Sequence, residues 1–103
     1  MKFGLENAVI VNINTIFSKY SAIESVVLYG SRAKGTFKAG SDIDLTLVGQ
    51  YLSYKDLVSI SLELDDLLLP YEFDLSIYQD IDNDELLDHI NRIGIVFYSK
   101  SNS

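Results

Sequence analysis

Apolar residues recur at three- and four-residue steps from Leu5 to Tyr20, at Leu5, Val9, Ile13, Ile16, Phe17 and Tyr20, which predicts a helix with one buried face. The pattern then changes. Ile23 to Tyr29 is rich in β-branched and aromatic residues and reads as a central strand. Arg32 to Lys34 reads as a short helix, and 36–41, edged by Gly35 and Gly40, as a loop. From Asp42 to Val48 the period is two, with Ile43, Leu45 and Leu47 on one face and the aspartates on the other. Ser53 and Asp56 resemble a capping box; the helix they open carries Leu57, Ile60, Leu64, Leu67 and Leu68, with Pro70 as its stop. Glu72 to Tyr78 alternates again, with Phe73, Leu75 and Ile77 against Glu72, Asp74 and Ser76. Asp82 and Glu85 suggest a second cap, for a helix through Leu86, Leu87, Ile90 and Ile93 that stops at Gly94. Ile95 to Tyr98 fits an edge strand or a packed tail, and residues 101–103 a frayed end.

The order α-β-α-β-α-β-α is an α/β pattern with a sheet as the core layer. The connection between the first two strands is short, and both an antiparallel pair and a compressed crossover fit it. A chain of 103 residues suits a single domain, residues 1–103. No cysteine is present, so a disulfide framework and a thiolate metal site are both excluded. The N-terminus lacks a signal-peptide pattern and no apolar run approaches membrane-spanning length, so a soluble, cytoplasmic protein is expected. The formal net charge of −7 argues against tracking along nucleic acid and favours a basic protein partner.

Candidate chemistry concentrates between residues 30 and 44. A Gly30-Ser31 turn follows the first strand, and after ten residues Asp42-Ile43-Asp44 opens the second. Side chains two apart on a strand leave the same face, with Cα atoms roughly 6.5–7 Å apart, so Asp42 and Asp44 can serve one hard cation or two. The glycine permits a tight turn, and the Ser31 hydroxyl with nearby N–H groups can hold phosphate oxygens. Asp74, on the polar side of the third strand, makes the pair a triad if that strand lies beside the second. A lone Asp-x-Asp or Gly-Ser turn is commonplace; the spacing between them is what is specific. Glu72 reads as solvent-facing, and His89, the only histidine, as a surface residue.

Leu28-Tyr29-Gly30-Ser31-Arg32-Ala33-Lys34-Gly35, Ser41-Asp42-Ile43-Asp44-Leu45 and Phe73-Asp74-Leu75 together resemble the signature of the polymerase-beta-type nucleotidyltransferases. The short chain is similar to the minimal nucleotidyltransferases (MNT), antitoxins paired with HEPN-domain ribonuclease toxins. Lys34 stands where many relatives carry Arg. The resemblance implies a small mixed sheet with helices packed on one face. It implies transfer of AMP from ATP to a tyrosine hydroxyl of a HEPN toxin, dependent on Mg²⁺ with two ions. Asp42, Asp44 and Asp74 would be the catalytic residues and metal ligands, with Asp74 also activating the acceptor hydroxyl. Gly30 and Ser31 would meet the β- and γ-phosphates, Arg32 would neutralise phosphate charge, and Ser41 would orient the aspartate pair.

Two other functions fit the same residues. One is a non-catalytic module that neutralises a HEPN toxin by binding, suggested by the net charge and the Leu67-Leu68-Leu69 run. The other is transfer to a small molecule such as an aminoglycoside. The expected partners are a HEPN toxin and ATP, with no direct nucleic acid and no membrane. The acceptor surface would come from a partner or a second copy, in a hetero- or homo-oligomer.

Overall fold

A computed structural model describes residues 1–100; the frayed end expected at 101–103 lies outside the described residues. Four strands form one mixed sheet in the order β3-β2-β1-β4, with β1 at Ser25–Tyr29, β2 at Ile43–Val48, β3 at Phe73–Ile77 and β4 at Ile95–Ser99. The open question about the first two strands is settled by the register: β1 and β2 are antiparallel, with Tyr29 opposite Asp44. β2 and β3 are parallel, and they place Asp44 beside Asp74 and Thr46 beside Ser76. β4 is an antiparallel edge strand on β1, with a bulge between Val26 and Val27.

Helices α1 (Asn7–Ser18) and α3 (Tyr54–Asp65) pack on one face of this sheet. There Ile13, Ile16 and Phe17 of α1 and Ile60 and Leu64 of α3 meet Val26, Leu28, Ile43, Leu45 and Leu47 in one buried cluster. The strict alternation of β2 is what turns three apolar side chains to this core and leaves Asp44 and Thr46 on the other side. The two helices are tied at their margin, where the Tyr20 hydroxyl donates to Glu63, which also pairs with Lys19 at 2.8 Å.

The caps show how local sequence sets the boundaries. The Ser53–Asp56 capping box is present in both directions: the Ser53 hydroxyl accepts from the Asp56 N–H, and the Asp56 carboxylate accepts from the Ser53 N–H. At α4 (Asp84–Ile93) the cap falls one residue beyond the expected Asp82. Asn83 accepts from the Leu86 N–H, and Asp84 and Glu85 occupy the first turn, where the helix dipole favours acid. Nor does Pro70 stop α3. That helix ends at Asp65, and Leu68, exposed and at φ 54°, turns the chain in a left-handed conformation before the proline is reached. Gly94 ends α4 with extended backbone, and space explains the residue: an added Cβ would lie 2.4 Å from the Ile90 carbonyl oxygen and 2.6 Å from Val27.

α4 departs from the one-sided layering. It packs against the opposite face of the sheet from α1 and α3, bringing His89 against Tyr29 and lining an open, mainly apolar groove of about 340 Å³ with Val27, Val48, Tyr78 and Val96. Among the described residues, no helix is long and apolar enough to cross a membrane.

Candidate active site

The face of the sheet away from α1 and α3 carries Tyr29, Asp44, Thr46, Asp74 and Ser76 in adjoining register positions. β2 is bound to the edge strand β3 here by side chains as well as backbone, the Ser76 hydroxyl donating to Thr46 at 2.9 Å. The parallel register sets Asp44 beside Asp74, and this bond ties the same two strands two residues further on. Asp42 precedes β2 and is exposed, Asp44 is half-buried, and Asp74 is exposed on the outer strand.

Electrostatically the three aspartates belong to one site. Burial raises the Asp44 pKa above its ordinary value, and the negative charges of Asp74 and Asp42 raise it further, while His89 and Arg32 pull it down. Burial also raises the Tyr29 hydroxyl, with Asp74 and Asp44 adding to the rise and Ser76 opposing it. The donor set consists of hard carboxylate oxygens, which suits Mg²⁺, and a divalent cation would relieve the repulsion felt by Asp44. The set is open rather than a closed cage: among the described residues, no three His, Cys, Asp or Glu groups converge on a point that would hold an ion. Asp42, Asp44 and Asp74 are therefore neighbouring charges on one face.

Gly30 is bound to this geometry by two constraints. It starts α2 (Ser31–Lys34) with φ 74° and ψ −156°, a conformation open chiefly to glycine. A Cβ at this position would lie 2.1 Å from the Asp44 Oδ2. The turn and the carboxylate are thus in direct apposition, which explains why a glycine precedes the serine. Ser31 follows, half-buried, as the first residue of α2.

Arg32 is where expectation has to be corrected. Its side chain points away from the open face and is 2% exposed. Nε and Nη2 donate to the Ser41 carbonyl at 3.1 and 2.8 Å, and Nη1 donates to the Phe3 carbonyl at 2.8 Å. The guanidinium lies over the rings of Tyr71 and Phe37, 4.7 and 5.3 Å from their centroids. It is a staple between the N-terminal segment, α2 and the loop before β2, with each nitrogen occupied by the chain itself. Ser41 also serves that loop: its carbonyl holds Arg32, and its hydroxyl accepts from the Lys38 N–H at 2.8 Å. Neither residue presents its bonding groups to the carboxylate face; they shape the loop that delivers Asp42. Lys34 is exposed, and Glu72 is exposed and enters the ladder through its carbonyl, which accepts from Ile43.

The residue that sequence reasoning placed on the surface is at the centre. His89 accepts the Gly30 N–H at Nε2, 3.2 Å away, and its ring meets Tyr29 edge-on at 6.2 Å. No local motif marks it, because its partners come from β1 and the turn that follows.

A family model described as "Polymerase beta, Nucleotidyltransferase" matches residues 11–103. No curated protein matches the chain. Among solved structures, a toxin–antitoxin complex with AMP-PNP has a TM-score of 0.71 at 18% identity, over 94% of this chain and 76% of the matched one. The MntA–HepT toxin–antitoxin complex has a TM-score of 0.67 at 14% identity, over 92% and 74%. A complex of a tri-AMPylated Shewanella oneidensis HEPN toxin with its MNT antitoxin has a TM-score of 0.62 at 16% identity, over 89% and 73%. At these identities the likeness is one of fold.

Proposed function

Because the chain belongs to the polymerase beta nucleotidyltransferase family, we propose that it transfers AMP from ATP to a tyrosine hydroxyl of a HEPN-domain toxin and so acts as an antitoxin. The observation that carries this reading is the in-register pairing of Asp44 with Asp74 directly against the Gly30–Ser31 turn. The AMP-PNP complex and the tri-AMPylated toxin among proteins of the same fold support the choice of ATP and of a protein acceptor.

In this reading Ser31 seats the β- and γ-phosphates, Gly30 giving the turn its close approach while its own N–H is held by His89, so that the α-phosphorus lies over the carboxylates. Asp74, exposed on the outer strand, takes the proton of the acceptor hydroxyl. The hydroxyl oxygen attacks the α-phosphorus in line, its bond to the bridging oxygen breaks, and pyrophosphate leaves with that electron pair. Asp42, Asp44 and Asp74 would share Mg²⁺ among them as neighbouring open carboxylates rather than close together on one point, and the metal when bound would supply charge stabilisation for the transfer.

The direct test is the intact mass of a co-expressed HEPN partner, made with wild type and with Asp42→Asn/Asp44→Asn. A gain of one or more AMP units that vanishes with the double variant is expected. An unchanged mass in a stable complex would instead favour neutralisation by binding. The exposed apolar row Tyr54, Val58 and Leu62, one helical turn apart along α3, gives that rival reading a surface.

Gly30→Ala gives a second check. An alanine at φ 74° and ψ −156°, a region open essentially to glycine, costs roughly 1–3 kcal/mol. Its Cβ would also displace the Asp44 carboxylate, and a misplacement on the order of 1 Å lowers rates about a hundredfold. The expected result is a folded protein whose transfer rate falls by about that factor, read by pyrophosphate release beside a thermal melt.

A further inference from the structure

The Gly30 N–H precedes α2 and has no partner within that helix. It is met by a side chain 59 residues away on α4, the Nε2 of His89 at 3.2 Å. An imidazole that accepts at Nε2 carries its proton on Nδ1, so the bond specifies the tautomer. The ring is steadied edge-on by Tyr29, at an interplanar angle of 80°. Ile90, the next residue, is 3% exposed and fixes this part of α4 against the sheet. A half-exposed amide such as Gly30 is satisfied equally well by water, so a partner from a distant helix constrains direction more than it meets a need.

We propose that His89 is a positioning residue for the nucleotide: by holding the Gly30 N–H it fixes the plane of the Tyr29–Gly30 peptide, and with it the direction in which Ser31 faces the triphosphate. This rests on the nucleotidyl-transfer reading above. His89 touches neither phosphate nor acceptor; its effect passes through Gly30. Losing the bond therefore weakens the fit of ATP without altering the chemistry of the seated nucleotide, which is a change in KM rather than kcat.

Two variants isolate the bond. His89→Phe keeps a ring against Tyr29 but has no acceptor, whereas His89→Gln carries an amide oxygen of similar reach. Amide hydrogen exchange at Gly30, followed by NMR, is measured beside KM and kcat for Mg-ATP. With His89→Phe, faster exchange at Gly30 and a KM raised about five- to tenfold at unchanged kcat are expected, the scale of one lost hydrogen bond. His89→Gln should restore most of both. Unchanged exchange at Gly30 in His89→Phe would overturn the proposal, as would a fall in kcat at constant KM or a Gln variant as defective as Phe. If the wild type transfers nothing, the transferase reading fails, and Gly30 exchange decides the clamp on its own: protection lost in His89→Phe upholds it and protection kept overturns it.

Discussion

Asp44→Asn is expected to lower AMP transfer about a thousandfold while raising the melting temperature of the metal-free protein. Both effects have one origin. Asp44 lies opposite Tyr29, beside Asp74 and under the Gly30 turn, where a negative charge strains the fold and, under the proposed transfer, serves the reaction. Burial and two neighbouring carboxylates raise its pKa above the ordinary 3.8, so the folded protein holds this proton more tightly than the unfolded chain does. The stabilisation associated with the protonated group is therefore complete below pH 3.8 and is lost as pH rises through the raised value. Asparagine is a permanent stand-in for the neutral acid. Thermal melts without divalent metal should show wild type and variant converging at acid pH and separating, with the variant more stable, towards neutrality. Melts that coincide at every pH would remove the electrostatic account, and an active Asp44→Asn protein would remove the site itself.

The parts of this site that could be read from the chain depend on patterns internal to a strand. Alternation in β2 assigns Asp44 to the face opposite Ile43 and Leu45, and the same alternation in β3 assigns Asp74 opposite Leu75. One extra piece of information, that β2 and β3 are neighbours in register, joins the two. The Ser53–Asp56 box is likewise contained within four consecutive residues. Legibility stops where a side chain chooses a distant partner. His89 occupies a polar position of α4 and looks solvated until the helix is laid across the carboxylate face. Leu68 is hidden differently: a left-handed turn is usually signalled by glycine or asparagine, and here a leucine makes it.

Arg32 shows the same limit with the largest consequence for stability. In sequence it stands beside Ser31 and near Lys34, and reads as positive charge for a phosphate. Its acceptors are backbone carbonyls of Phe3 and Ser41, which leave no trace in residue identity. The two roles predict opposite results for Arg32→Lys. A phosphate ligand would keep its charge and its fold. A staple would not survive, since one ammonium cannot reach both carbonyls in this fork geometry and has no planar face for Tyr71 and Phe37. Leaving the partly buried Phe3 and Ser41 carbonyls unpaired and desolvating a lysine costs about 2–3 kcal/mol. For a chain of this size that lowers the melting temperature by about 10–20 °C. Nucleotide affinity, measured well below the new melting temperature, should change little if Asp42 is still delivered by its loop. A melt within about 2 °C of wild type, accompanied by a raised KM for ATP, would return Arg32 to the phosphates.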